Sequence, residues 1–270
     1  MAYIKSKKEI KRIIEGGKIM GEVLEALIPL VVPGASAFDI DAVAEKLIRE
    51  AGGIPAFKNY KIPGHTPFPS TICASVNDEV VHGIASKDKI LKDGDLFSID
   101  IGMQWPANSK EGKKGNGYFT DTAITLCVGK VPQKVRDLVD RTRESLERAI
   151  AACQSGNSIA DIGAAVEDYI EPFKYGIVEE LVGHGVGHEV HEDPHVPNYH
   201  TKEMESVKLV PGVVIAIEPM ITLGKASIET AEDGWAIVTR DHSVSAHSEH
   251  TIVITEDGPI VVTRRPSEKK

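Results

Sequence analysis

Four acidic residues stand where acids are costly. Asp100 in "FSIDIG", Asp121 in "TDTAIT", Glu218 in "VIAIEPM" and Glu249 in "SEHTIVIT" each interrupt an apolar, strand-like run. A carboxylate taken out of water without a partner is unfavourable. Several that converge repel one another and take up protons. Taken singly, each acid reads as an edge residue or a core polar group with its own hydrogen bonds. Taken together, they have one shared remedy, the positive charge of one or two divalent cations. With an imidazole added they make an oxygen-rich shell, suited to two metals roughly 3.5–4 Å apart in a hydrolytic site. Structural zinc, by contrast, favours Cys and His tetrads.

The imidazoles are concentrated in "HGVGHEVHEDPH", residues 184–195, where His184, His188, His191 and His195 fall within twelve residues. The last five letters match H-E-x-x-H, in which two histidines one helical turn apart share a zinc ion. Pro194 argues against a helix there, since an interior proline costs ~3 kcal/mol or more. Gly183, Gly185 and Gly187 argue against one upstream, at about 1 kcal/mol each relative to Ala. Both features argue against the helical zinc-site reading, and four histidines in twelve residues still call for an explanation.

The elements that must position these groups are written twice. "PGASAFDIDAVAEKLI" (33–48) and "SGNSIADIGAAVEDYI" (155–170) align Gly34, Ser36, Asp39 and Ile40 with Gly156, Ser158, Asp161 and Ile162. Both open with a Ser at an N-cap and continue with apolar residues at helical spacing. Each follows a longer amphipathic stretch, 6–29 and 132–154. Further on, "VVHGI" pairs His82 with His184, "DGDLFSID" and "PGVVIAIE" pair Asp100 with Glu218, and Asp121 pairs with Glu249. The predicted architecture is α+β: a single domain over 1–270, duplicated over about 6–128 and 132–262. Its halves are expected to pack as two sheets with helices outside and the site at their junction.

Composition narrows the partners. The 270 residues carry a net charge of -9 with 41% hydrophobic and 26% charged residues, an ordinary globular balance that argues against nucleic acid as the main partner. Basic residues gather at both ends (Lys5, Lys7, Lys8, Lys11, Arg12; Arg264, Arg265, Lys269, Lys270), read chiefly as solvated termini, with a transient ribosome contact as the alternative. Cys73, Cys127 and Cys153 are odd in number with no CxxC, which fits a reducing compartment. No apolar run has the length of a signal peptide core or a membrane span. The expectation is a cytoplasmic protein, a monomer, with no membrane partner.

"GHGVGHEVHEDPHV", "IEPM", "SIDIG" and "SEHTIVIT" resemble the motifs of the methionine aminopeptidases of the pita-bread fold. The likeness runs from the helix at 6 to the strand at 261, without an extra N-terminal domain, as in the short bacterial type I form. The resemblance implies two pseudo-symmetric α/β halves with curved antiparallel sheets. It implies two divalent metal ions (Co, Mn, Fe, Zn or Ni) held by Asp100, Asp121, His184, Glu218 and Glu249. The implied reaction is removal of the initiator methionine from nascent polypeptide N-termini and peptides with a small second residue. Glu218 would shuttle the proton, His191 would act on the peptide carbonyl and His82 on the scissile amide nitrogen. Trp235, Phe68, Cys73 and His65 would lie near the methionine pocket. The likeness also implies that His184 sits on a glycine-rich strand end, that Glu192, Asp193 and Pro194 form a turn after His191, that His188 and His195 are polar loop residues, and that the H-E-x-x-H match is accidental. His65 and Phe68 stand where the family usually has tyrosines, and 103–118 is longer than the usual hairpin. Its composition reads as an exposed loop. Three rivals are a proline-specific (Xaa-Pro) exopeptidase of the same fold, a non-enzymatic pita-bread binding protein, and a mononuclear iron oxygenase. Four acids with one histidine do not fit the last, which needs two histidines and one carboxylate.

Overall fold

The protein is described from a computed structural model over residues 4–112 and 117–268. Each half of the chain opens with two helices. The first pair is α1 (Lys7–Leu27) and α2 (Ala37–Glu50), the second α3 (Gln133–Ala152) and α4 (Ile159–Ile170). Ser6 and Glu9 form a reciprocal capping box on α1. At α4 the Ser158 amide donates to the Asp161 carboxylate. Gly34 and Gly156, aligned in the sequence, share a left-handed backbone at φ 89° and 96°. Ser36 and Ser158 also each make an isolated bridge, to Ile90 and Lys208.

Strands follow the first pair as β1 (Ile54–Pro55), β2 (Ile72–Val76), β3 (Glu79–Val81), β4 (Leu96–Trp105) and β5 (Tyr118–Cys127). After the second pair come β6 (Gly176–Ile177), β7 (Gly183–Gly185), β8 (Glu192–Val196), β9 (Val214–Ile217) and β10 (Met220–Thr222). The last are β11 (Ile228–Thr230), β12 (Ile237–Thr239), β13 (Ser245–His247), β14 (Glu249–Thr255) and β15 (Gly258–Val261). The main sheet runs β1-β4-β5-β14-β9-β7-β8, with β2 also on β4 and β15 on β14. Two three-stranded sheets, β13-β10-β6 and β11-β12-β3, flank it.

The halves do not pack as two separate sheets, as the sequence suggested; they share one. The reason is edge chemistry. β5 and β14 would each present unpaired N–H and C=O groups if the halves stayed apart, and joining edge to edge satisfies them. The seam is short: Glu249 pairs with Ala123 and His250 with Thr122, after which β15 takes over beside β14. The helices cover one face, where Ile99, Ile101 and Met103 pack against α1 and α2, and Ile215, Ile217 and Ile252 against α3 and α4. The other face is left for chemistry.

Gly17 and Gly21 sit inside α1, where each costs about 1 kcal/mol relative to Ala. Close approach explains them. A Cβ on Gly17 would lie 2.7 Å from the Val262 carbonyl oxygen, and one on Gly21 2.7 Å from that of Arg264. Gly21→Ala is therefore expected to destabilise by about 1–3 kcal/mol although alanine favours helix. Calorimetry checks it: an unchanged or raised Tm would show that the C-terminal segment yields without cost.

The terminal basic residues are less free than solvated ends. Lys5 is buried against Glu192, Arg12 bonds Glu15 and Glu111, and Arg264 and Arg265 pair with Glu147 and Glu268. Of the 103–118 segment expected as an exposed loop, residues 103–105 complete β4, with Met103 buried in the core, and Tyr118 opens β5. Trp105 folds away from the carboxylates, its Nε1 donating to the Ala51 carbonyl at 3.1 Å and its ring packing on Gly16. Glu111 ties the segment to Lys8 and Arg12, so its described part is anchored on α1. Residues 113–116 lie outside the described residues.

Candidate metal centre

The register of the sheet brings the four acids together. Asp100 on β4 faces Ala123 on β5, which faces Glu249 on β14. On the other flank His184 on β7 faces Ala216 on β9, which faces Thr251 on β14. Side chains alternate along a strand, so residues two apart share a face. Asp121 thus joins Ala123, and Glu218, just past the end of β9, joins Ala216. Ala123 and Ala216, the residues between these groups in the register, carry only a methyl group each. All five candidate ligands converge on the helix-free face.

The distances are those of a shared charge. His184 Nε2 lies 3.6 Å from Asp121 Oδ2 and 3.6 Å from Glu218 Oε1. Asp121, His184 and Glu249, all buried, each offer an atom within 4.8 Å of the others. Thr251 holds Asp121 in place, its hydroxyl donating to Asp121 Oδ1 at 3.1 Å. Asp100 Oδ1 is buried without a hydrogen-bond partner. Among the described residues no lysine or arginine pairs with any of these acids; their ion-pair contacts are to histidines.

Electrostatics tell the same story. Burial, and then Asp121 and Glu218, push Asp100 up to about 7 against the pull of His247. Burial raises Glu218 to about 8, with Asp121 adding to it and His184 opposing. Glu249 is raised well above the usual carboxylate range by burial and by Asp121, Asp100 and Glu218. A divalent cation fits this donor set: it supplies the missing charge and a partner for the orphaned Asp100 oxygen.

Next to the acids lies an apolar pocket of about 150 Å³ lined by Phe57, Tyr60, Ile62, Phe68, Cys73 and Trp235. His82 and His191 line both this pocket and a second hollow of about 160 Å³ that holds His184, Glu218 and Glu249. They mark the border between the two. His82 has a left-handed backbone at φ 59°, a conformation uncommon outside glycine and found at functional sites. Burial, then His247, lowers its pKa to about 4. His191 stands edge-on to His184 at 4.4 Å between ring centres, and its Nδ1 is 3.1 Å from the Tyr60 hydroxyl. Desolvation in the cleft, with His184 and His82 alongside, pushes its pKa below the ordinary histidine value.

The sequence matches metallopeptidase family M24 over residues 11–256, which includes every one of these acids and histidines. The chain belongs to that family. A methionine aminopeptidase of Clostridium acetobutylicum is 39% identical over 97% of this chain and 99% of its own length. The crystal structure of methionine aminopeptidase from Thermotoga maritima superposes with a TM-score of 0.88 at 36% identity, covering 97% of this chain and 99% of that one. The prolidase of Pyrococcus horikoshii superposes with a TM-score of 0.74 at 26% identity, but this chain covers only 65% of it.

Several site details differ from expectation. Glu192–Val196 is a strand, not a turn: Gly183 and Gly185 lack side chains, so β8 can lie against β7, and Pro194 is tolerated because β8 is an edge. The H-E-x-x-H match is accordingly no helix. His188 bonds Glu9 at 2.7 Å, and His195 lies exposed on β8, so neither faces the acids. His65 is outside the pocket lining; it packs on Trp235 and bonds the Gly234 carbonyl. Trp235 is held by its Nε1, which donates to the Thr66 carbonyl. Phe57, Tyr60 and Ile62 were missed, as was His247, whose Nε2 is 3.5 Å from Glu218 Oε2. A signal for His247 existed, since it lies two residues before Glu249.

The raised carboxylates give a pH prediction for this M24 chain. Asp100 and Glu218, at about 7 and 8 without metal, hold protons near neutrality that must leave before a cation binds. Metal binding should release protons, and affinity should fall as pH drops from about 8 to 6. The sign for stability follows. Folded pKa values above the unfolded ones (about 3.9 and 4.3) make this contribution greatest in acid and lose it as pH rises through 7 and 8. Chelator-treated protein should melt lower at pH about 8 than at about 6.5, and metal should abolish the difference. Calorimetry in buffers of different ionisation heat counts the protons; zero release at pH about 6.5 would contradict the raised values.

Proposed function

We propose that this chain removes the N-terminal methionine of nascent polypeptides and of peptides with a small second residue, using divalent metal bound by Asp100, Asp121, His184, Glu218 and Glu249. The observation that carries the reading is the two-part cleft, in which an apolar pocket and a carboxylate cluster share His82 and His191 as a border. A pocket of about 150 Å³ is the size of a cavity that admits a benzene-sized group. One flexible thioether chain suits its aromatic and sulfur lining. The small second residue is taken from the family resemblance.

Bound metal supplies Lewis acidity and, at neutral pH, a water-derived nucleophile. The chain's own groups do the rest. Phe57, Phe68, Cys73 and Trp235 hold the methionine side chain and exclude water from it. His191, at the border, donates to the peptide carbonyl as negative charge grows there. His82 hydrogen-bonds the scissile amide nitrogen. Glu218 carries a proton from the attacking water to the leaving amine.

Two ions would be held by these five residues, with Asp121 and Glu249 as the shared ligands; which of Co, Mn, Fe, Zn or Ni serves is a matter of availability as much as affinity. The chain is one catalytic domain over 1–270 with duplicate halves at about 6–128 and 132–262, a reading supported by the paired glycines and bridges described above. It works as a cytoplasmic monomer. No helix among the described residues is long and apolar enough to cross a membrane. Among the described residues a transient ribosome contact has less charge to draw on than the sequence suggested, with Lys7 and Lys11 on α1 left after the internal ion pairs; Lys269 and Lys270 lie outside the described residues.

Activity on Met-Ala-Ser and Ala-Pro peptides, with metal analysis of protein purified without added metal, tests the reading. Release of methionine that chelator abolishes and metal restores is expected. Preferential cleavage of the Ala-Pro peptide would favour the Xaa-Pro alternative, and no cleavage with metal bound would favour a binding protein.

A further inference from the structure

His247 is the last residue of β13 and is 1% exposed. Its backbone is clamped from both sides of one hydroxyl: its N–H donates to Thr125 Oγ1 at 2.8 Å, and its carbonyl accepts from that group at 2.9 Å. β13 is further pinned by the Met220–His247 pair with β10. The ring therefore has little freedom. Its Nε2 is buried with no hydrogen-bond partner, yet lies 3.5 Å from Glu218 Oε2. The other oxygen of the same carboxylate, Oε1, lies 3.6 Å from His184 Nε2. Glu218 is thus held between two imidazoles, one facing each oxygen.

A fully buried, unpaired ring nitrogen costs stability. An apolar side chain would avoid that cost, so the histidine is better explained by a state of the site in which the nitrogen has a partner. We propose that His247 is a positioning residue of the metal centre: its Nε2–H donates to Glu218 Oε2 and so leaves Oε1, beside His184, for the cation. Outer-shell donors of this kind orient a ligating carboxylate and reduce its basicity. For a residue also meant to carry a proton, the contact decides which oxygen is engaged and which rotamer is kept. The inference rests on the reading of Glu218 as a ligand.

The test is calorimetric titration of chelator-stripped protein with Mn(II), in the unaltered chain and in His247→Leu and His247→Gln. The leucine variant should bind 10–100-fold more weakly at unchanged stoichiometry. The glutamine variant, whose amide nitrogen reaches the Nε2 position, should return to within about threefold. The melting temperature of the stripped leucine variant should equal or exceed that of the unaltered protein, because the unpaired nitrogen is gone. A packing role would instead lower it. Unchanged Mn(II) affinity in the leucine variant overturns the proposal, as does loss of one metal equivalent in both variants, which would make His247 a direct ligand. A second measurement needs no variant: histidine 15N spectra of the unaltered protein during Zn(II) titration should show Nε2 of His247 keeping its proton. Loss of that proton on binding overturns the donor role. Failure of the unaltered protein to bind either metal would strike at the ligand set itself, an outcome separate from any difference between variants.

Discussion

Asp121→Ala is expected to lower kcat/KM on Met-Ala-Ser by at least about 10³-fold, beyond the 10–100-fold typical of outer-shell partners. Asp121 is 3% exposed, fixed by Thr251 through Oδ1, and presents Oδ2 to His184. It also lies beside Glu249, each raising the other's need for a cation. In the proposed two-ion centre Asp121 would be shared between both ions, so its loss would loosen both, and metal content should fall together with turnover. Glu249→Ala should behave alike, since it occupies the matching position across the β5–β14 seam. Folding provides the control. Removing one of several converging, desolvated carboxylates relieves repulsion, so the metal-free Tm should hold or rise in either variant. Near-normal turnover of either variant at micromolar metal would remove that residue from the bridging role.

The two histidines at the cleft should separate cleanly. His191→Ala is expected to lower kcat by ~10²–10³, about 3–4 kcal/mol, the usual result of losing one preorganised donor to a developing oxyanion. The loss should fall on kcat more than KM, because the contact strengthens in the transition state. Metal content should not change: His191 is exposed at the cleft mouth and touches His184 ring to ring, with its Nδ1 turned to Tyr60. His184→Ala should do the opposite. Its Nε2 points between Asp121 and Glu218, so metal affinity should drop and excess metal should partly restore turnover. Atomic absorption on both purified variants, with kinetics at low and high Mn(II), decides it. Metal loss in His191→Ala that is rescued by excess Mn(II) would exchange the two roles.

Much of the candidate site is legible in the sequence alone, and for a physical reason. A strand's side chains alternate, so an acid that breaks an apolar run, as in "FSIDIG" or "VIAIEPM", announces a buried charge with a partner to find. The duplicated order of helices, histidines and acids was likewise readable, because helical spacing and capping are local properties. Pro194 ruled out the zinc helix by the same local logic.

What only the tertiary structure decided were facts of pairing between distant segments. The join of β5 to β14 sets Asp121 beside Glu249 across 128 positions and makes one sheet where two were expected. No local pattern encodes which edges meet, since edge hydrogen bonds are made by backbone groups common to all residues. The same holds for Tyr60 against His191, for Lys5 buried on Glu192, and for β8 lying on the glycines of β7. His247 shows the limit most sharply. Its position two before Glu249 was visible, but that its ring meets Glu218 follows from β13 pairing with β10, a long-range choice made by the packing of the whole molecule.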